Sequence, residues 1–240
     1  MSNPYFRFKQ FIVWHDQCAM KVGTDGVLVG AWANIQEAHS ILDIGTGSGL
    51  IAIMAAQRNP LAAIDAIDID EAAVKQARKN VNECPWKERI NIQHCSLQDY
   101  ANNCRTKYDA IITNPPYFHQ SLPSPDRQRT IARHTNQLTT SILLESSVRL
   151  LSDTGILHVI MPVNEGEELI RIATKLSLHC IHKTIVHPRD NVPAKRLLLS
   201  FQIEESQCIE DNIAIETSER HHYSPEYILL TKDFYLNLSH

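Results

Sequence analysis

Three glycines fall within five residues in Leu42-Asp43-Ile44-Gly45-Thr46-Gly47-Ser48-Gly49, although the 240-residue chain has only eight in all. The apolar run Ser40–Ile44 ends in them, and the helical pattern Leu50–Arg58 follows. A glycine loop between strand and helix lets the backbone approach a ligand with no Cβ in the way. A tight turn without a ligand would need one glycine rather than three. The chain is thereby confined to folds in which strand, ligand loop and helix follow in that order.

Strands and helices alternate from residue 40 onward. Residues 62–67 read as a second strand, and Glu71–Asn82 sets Ala73, Val74, Ala77 and Val81 at helical spacing. Ile90–His94 and 109–113 read as strands, 141–151 as a helix, 156–162 as a strand and 165–176 as a helix. Residues 179–186 and 196–203 flank a turn containing proline and charge, which predicts a long antiparallel hairpin. The order predicts an α/β, Rossmann-like, mostly parallel sheet of seven strands with a C-terminal antiparallel hairpin and helices on both faces. Ligands of such sheets bind beyond the carboxyl ends of the strands. Residues 1–39 form a polar-aromatic lead-in to a domain over 40–240, and the two make one structural domain.

Composition narrows the class. At 43% hydrophobic and 21% charged residues, the chain is neither disordered nor fibrous. Its longest apolar run, residues 50–56, is far short of the ~20 that span a bilayer, and no basic-then-apolar leader opens it. A soluble cytoplasmic protein with no membrane contact is expected. Six cysteines without a C-x-x-C pair, and twelve histidines without an H-x-H or H-E-x-x-H arrangement, point to no metal site. A net charge of -4 disfavours indiscriminate coating of nucleic acid but leaves room for a local basic patch. Nothing calls for an obligatory protein partner.

An ordinary dinucleotide fingerprint would need Gly or Ala at position 50, which is Leu50. That bulk suits a ligand with no pyrophosphate. The second strand ends in Asp65-Ala66-Ile67-Asp68-Ile69-Asp70, and a carboxylate about 20 residues beyond a glycine loop can accept from ribose hydroxyls. Asp68, at the tip, is the best candidate. Asp70 reads as the N-cap of the next helix, and Asp65 lies inside the strand. The loop, with Asp43 before it and an acid after it, resembles the cofactor site of class I S-adenosylmethionine-dependent methyltransferases. The resemblance implies that Asp43 helps position the methionine end, and that Gly45, Thr46, Gly47, Gly49, Asp68 and Ile69 line the cofactor. Such enzymes usually carry an acid after the third strand. Here Cys95-Ser96 stands there, so either Ser96 makes the contact or Asp99 reaches back.

The fourth strand runs straight into Asn114-Pro115-Pro116-Tyr117. Two prolines exclude a helix and a central strand, and hold one extended turn. The Asn114 side chain and the Pro115 carbonyl can then point the same way, both as acceptors. A planar exocyclic amine is a poor nucleophile because its lone pair is delocalised. Two acceptors on its N–H bonds favour the positive charge that develops as nitrogen attacks a methyl group. Tyr117 offers a ring for stacking, worth about 1–3 kcal/mol per base. Behind a glycine loop and a ribose acid, the tetrapeptide resembles that of methyltransferases acting on adenine N6, guanine N2 or glutamine amides, with Asn114 also beside the cofactor.

Residues 6–32, which include Lys21-Val22-Gly23-Thr24-Asp25-Gly26, resemble the bacterial tRNA1(Val) adenine-N6 methyltransferase family. The likeness returns at Cys84-Pro85-Trp86, Asn114-Pro115-Pro116-Tyr117, Ala132-Arg133-His134, Pro193-Ala194-Lys195-Arg196 and Tyr223-Ser224-Pro225-Glu226-Tyr227. It implies an adenine 3′ of the tRNA anticodon as substrate. It also implies that the loop of Lys21, Thr24 and Asp25 closes over the cofactor. By its residues alone, that loop precedes a helix with Thr24 or Asp25 as cap. Arg127, Arg129 and Arg133 stand against the single acid Asp126, with His119 and His134 nearby. The hairpin adds Lys183, Arg189, Lys195 and Arg196 against Asp190. Two basic clusters flanking one site suit a nucleic-acid backbone, with Arg127, Arg129, Arg133, Lys195 and Arg196 as candidate contacts. Release-factor glutamine methyltransferases carry a helical domain that 39 leading residues cannot supply, and DNA adenine methyltransferases add a recognition domain. A loop adenine is cheap to expose because it is unpaired.

Overall fold

The computed structural model describes residues 3–18, 21–116 and 138–237. A short antiparallel hairpin, β1 (Tyr5–Arg7) and β2 (Ile12–Trp14), leads to α1 (Thr24–Trp32). Then follow β3 (Ser40–Ile44), α2 (Leu50–Arg58), β4 (Ala63–Asp68), α3 (Glu71–Asn82), β5 (Ile90–His94), α4 (Leu97–Asn103) and β6 (Tyr108–Thr113). Beyond residue 137 come α5 (Thr140–Leu150), β7 (Leu151–Pro162), α6 (Val163–Lys175), β8 (His179–Arg189), β9 (Arg196–Gln202), β10 (Ile209–Glu216) and α7 (Pro225–Thr231).

Among the described residues, eight strands form one sheet in the order β10-β8-β9-β7-β6-β3-β4-β5. The five strands β5, β4, β3, β6 and β7 are parallel. β9 lies antiparallel between β7 and β8, so the expected hairpin is present. The eighth strand, β10, pairs parallel with β8 at the edge, where the sequence reading had only seven strands.

Side chains alternate across each strand, and this sorts the core into two layers. Ile41, Ile64, Ala66, Ala110 and Ile112 face one layer, with Val27, Leu28, Ile53 and Val74 from the helices α1, α2 and α3. Leu42, Ile44, Ile67, Ile111 and Val159 face the other, with Leu97, Leu143, Leu144 and Leu169 from α4, α5 and α6. Both faces are buried, so the central strands are apolar on each side.

β7 begins at Leu151 rather than at 156, because the ladder to β6 slips between Tyr108 and Ala110. Gly155 permits the slip: a Cβ there would stand 2.5 Å from the Tyr108 carbonyl oxygen.

The lead-in is stitched to the sheet domain. Phe8, Phe11 and Val13 belong to the first core layer. The Lys9 N–H donates to the Phe234 carbonyl at 2.8 Å, and Phe8 stacks on Tyr235 with centroids 5.9 Å apart. Buried Asn80 of α3 accepts from the Trp14 N–H at 2.9 Å and donates to the Trp14 and Ser48 carbonyls, both at 2.8 Å. One amide thus joins β2, α3 and the glycine loop. Among the described residues, no helix is long and apolar enough to cross a membrane, and no group of three or more His, Cys, Asp or Glu side chains could hold a metal ion.

Candidate active site

The loop after β3 needs its glycines. Gly45, Gly47 and Gly49 adopt φ of 69°, 56° and 83°, a left-handed region costly for any residue with a Cβ. Gly49 caps α2, and a Cβ on it would meet Ala77 of α3 at 3.4 Å. The Gly45 and Thr46 N–H groups both donate to the Ile67 carbonyl, at 2.9 and 3.0 Å, which lashes the loop to the tip of β4.

The three acids in and just after β4 separate by environment. Asp68 Oδ2 accepts from the Gly47 N–H at 2.8 Å and Oδ1 from the Asp70 N–H at 2.9 Å, so Asp68 closes the glycine loop. Burial raises its pKa, and those amides oppose the rise. Asp70 caps α3 by accepting from the Ala72 N–H at 2.9 Å. Asp65 accepts from Asn91 and from the Tyr108 hydroxyl, both at 2.7 Å. Ile69, 46% exposed, offers apolar surface beside Asp68.

Asp43 is fully buried at the end of β3. Its Oδ2 accepts from the Thr46 hydroxyl at 2.6 Å and the Ala52 N–H at 3.2 Å, while Oδ1 has no partner among the described residues. Burial pushes its pKa up to about 7, against the pull of those two donors, and the Asp68 charge adds to the rise. An orphaned buried carboxylate oxygen beside a glycine loop suits a cationic group and opposes an anionic one. That fits the ammonium or sulfonium of S-adenosylmethionine and not a pyrophosphate.

β6 delivers the tetrapeptide to the same place. Thr113 is buried, pairs with Ile44 in register, and donates from Oγ1 to the Ile44 carbonyl at 2.9 Å. The chain therefore leaves β6 at Asn114 next to Gly45. Pro115 is buried and Pro116 exposed. A Cβ on Gly26 would stand 3.2 Å from Leu50 Cδ2 and 4.0 Å from Asn114 Nδ2, so the start of α1 lies against both the glycine loop's helix and the Asn114 amide. Tyr117 lies outside the described residues.

Two expectations change, the cap of α1 and the make-up of the hairpin's basic cluster. Neither Thr24 nor Asp25 caps α1: Gly23 holds the extended cap position with no side-chain bond, and Thr24 is already helical. Asp25 is drawn instead to Arg196, whose Nε donates to Asp25 Oδ2 at 2.9 Å. Lys183 reaches Glu167 at 2.8 Å, which neutralises one member of the hairpin's basic cluster. Ser96 caps α4, accepting from the Asp99 N–H at 3.0 Å and donating to Asp99 Oδ2 at 2.6 Å, so the two residues engage each other. Lys195 is exposed, as is Lys21. Arg127, Arg129, Arg133, His119 and His134 lie outside the described residues.

Sequence reasoning missed Asn80 and His15. His15 is buried, bonds the Asn3 carbonyl oxygen through Nε2 at 3.0 Å, and accepts at Nδ1 from the Val22 N–H at 3.3 Å, which fixes the loop before α1. The signal for Asn80 is a polar residue at a core-facing helical position, between Ala77 and Val81.

Comparisons with known proteins agree with this geometry. The family model for the methyltransferase small domain matches residues 23–170. A Phocaeicola vulgatus protein described as a tRNA1(Val) (adenine(37)-N6)-methyltransferase is 51% identical over 239 residues, covering 99% of this chain and 100% of its own length. A Bacteroides thetaiotaomicron protein of the same description is 46% identical with the same coverage. Among solved structures, an Agrobacterium tumefaciens protein described as a predicted O-methyltransferase superposes with a TM-score of 0.70 at 17% identity, covering 88% of this chain and 96% of that one, which bears on the fold alone.

Proposed function

Because the chain belongs to the methyltransferase small domain family, with full-length relatives described as tRNA1(Val) (adenine(37)-N6)-methyltransferases, we propose that it methylates N6 of an adenine in a tRNA anticodon loop. The donor is S-adenosylmethionine, the adenine is the one 3′ of the anticodon in tRNA1(Val), and the reaction runs in the cytoplasm.

When bound, S-adenosylmethionine supplies a methyl group on a cationic sulfur. Gly45, Thr46, Gly47 and Gly49 form its backbone cradle. Asp68 holds the ribose hydroxyls, Ile69 covers the adenine of the cofactor, and Asp43 faces the cationic end. Ser96 borders the cofactor adenine, and Lys21, Thr24 and Asp25 close the mouth. Asn114 Oδ1 and the Pro115 carbonyl accept the two N6 hydrogens of the target base. They orient its nitrogen and favour the positive charge that develops there, so their contribution is largest in the transition state. Pro116 keeps the turn rigid, and Tyr117 stacks on the base. Arg127, Arg129, Arg133 and Lys195 meet RNA phosphates. The tie of Arg196 to Asp25 gives it another part, argued below.

The observation that carries this reading is the Thr113–Ile44 bond, which sets Asn114 beside a loop whose buried acid, Asp43, has an oxygen with no partner among the described residues. The test is mass spectrometry of nucleosides from unmodified tRNA incubated with enzyme and labelled cofactor. N6-methyladenosine in the anticodon loop is expected from the wild type and none from Asn114→Ala, whose cofactor affinity stays within a few-fold. Label on guanine, on protein, or retained by Asn114→Ala would overturn it.

A further inference from the structure

Arg196 opens β9 directly after the turn that carries Lys195. Its backbone is paired on both sides, with Pro162 of β7 and Val186 of β8. Its Nη1 donates to the Lys195 carbonyl at 2.9 Å while Nε donates to Asp25 at the same distance, so two donors fix the guanidinium. The Arg196 and Asp25 side chains are only 28% and 23% exposed. Asp25 sits in the first turn of α1, whose cap, Gly23, supplies no side-chain bond. The next residue, Gly26, is the one that lies against Leu50 and the Asn114 amide. A strand paired on both sides therefore reaches across to hold the helix start that touches the reacting turn.

We propose that Arg196 is a positioning residue: paired with Asp25, it sets the first turn of α1 against Asn114, and it is not a phosphate contact. This rests on the methyl-transfer reading of the site. Ion pairs on open surface contribute little. This one is half-sheltered and acts on geometry, where small misplacements are costly to rate.

A double-mutant cycle of Asp25→Asn, Arg196→Gln and the pair tests it, with melting temperatures checked for each. Methyl transfer is measured on an unmodified anticodon stem-loop, cofactor affinity by calorimetry with S-adenosylmethionine, and stem-loop binding across a salt series. Each single variant is expected to lower kcat about tenfold, and the double variant to lose no more than either. KM for the stem-loop and the salt slope should stay as in the wild type. Arg196→Lys should recover part of kcat, and only while Asp25 is present. A salt slope flattened by about 0.7 to 0.9 in Arg196→Gln, the loss of one phosphate contact, would overturn the proposal. So would additive losses in the double variant, or recovery by Lys in the Asp25→Asn background. If the wild type fails to methylate the stem-loop, the functional reading falls; if it methylates the stem-loop and the losses in the cycle are additive, the pair alone falls.

Discussion

Asp43 shows how one side chain can couple stability, pH and ligand. Folded, it keeps its proton up to about pH 7, whereas its ordinary value is 3.8. Folding therefore takes up a proton between those values, and stability falls as pH rises through that window, then levels off above it. The expected size is a few kcal/mol, at ~1.4 kcal/mol per pKa unit. Urea titrations between pH 5 and 8 should show the wild type losing ground to Asp43→Asn as pH rises. A cation bound beside Asp43 needs the carboxylate, so S-adenosylmethionine affinity should strengthen as pH climbs through 7, with proton release detectable by calorimetry in two buffers. Affinity that is flat over pH 6–8 would separate Asp43 from the cofactor. Asp68→Ala should weaken cofactor binding first, by calorimetry; unchanged affinity would move the ribose contact away from the acid that closes the loop.

Elements were legible where their residues repeat. β3, α2, α3 and β5 have the bounds that pattern alone gives: the buried residues of α3 and β5 keep a period of 3.6 and two, while β3 and α2 are near-continuous buried apolar runs set apart by the glycine loop between them. α4 was missed because it buries only Leu97 and Tyr100. β10 was missed because it carries Glu210, Asp211 and Asn212 exposed on an edge, where charge discourages further pairing and erases alternation. α7 had a readable start in Ser224-Pro225-Glu226, a cap followed by a first-turn proline, and the Ser224 hydroxyl does accept from the Tyr227 N–H at 3.0 Å. The acids of β4 could be ranked from sequence, but the bond from Gly47 to Asp68 could not, since it depends on a turn across two strands. The pattern can flag Asn80 as a polar residue on a core-facing position but not its partners, since its three bonds join segments up to 66 residues apart. Asn80→Ala would leave those backbone groups buried without partners, at about 1–3 kcal/mol for each that water cannot reach. Its melting temperature should drop by several degrees and cofactor affinity should fall with it, because Ser48 belongs to the loop. A fall in melting temperature with unchanged affinity would confine Asn80 to scaffolding.

For the whole molecule, net charge and local charge point in different directions. A chain at -4 must approach a polyanion through a basic patch rather than its general field. Removing Arg127 and Arg129 together should weaken stem-loop binding and reduce its salt slope by about 1.4 to 1.8, if each meets one phosphate. An unaltered slope would take that segment off the RNA path. Pattern reached a mostly parallel sheet covered by helices on both faces because alternating strands and helices build such sheets by right-handed crossovers. It did not reach the outer edge, where β9 inserts between β7 and β8 and β10 reverses the pairing sense.

The bond between Lys9 and Phe234 has a bearing on how the protein is born. The hairpin that it clasps is the same one that Asn80 fastens to the glycine loop. During synthesis, helix α3 leaves the ribosome long before residue 234 does, by about 8 to 30 s at ~5–20 residues per second. Through that interval the nascent loop has its glycines but not its completed clasp. The hairpin that steadies the glycine loop is therefore fastened at both ends only once residue 234 has been made.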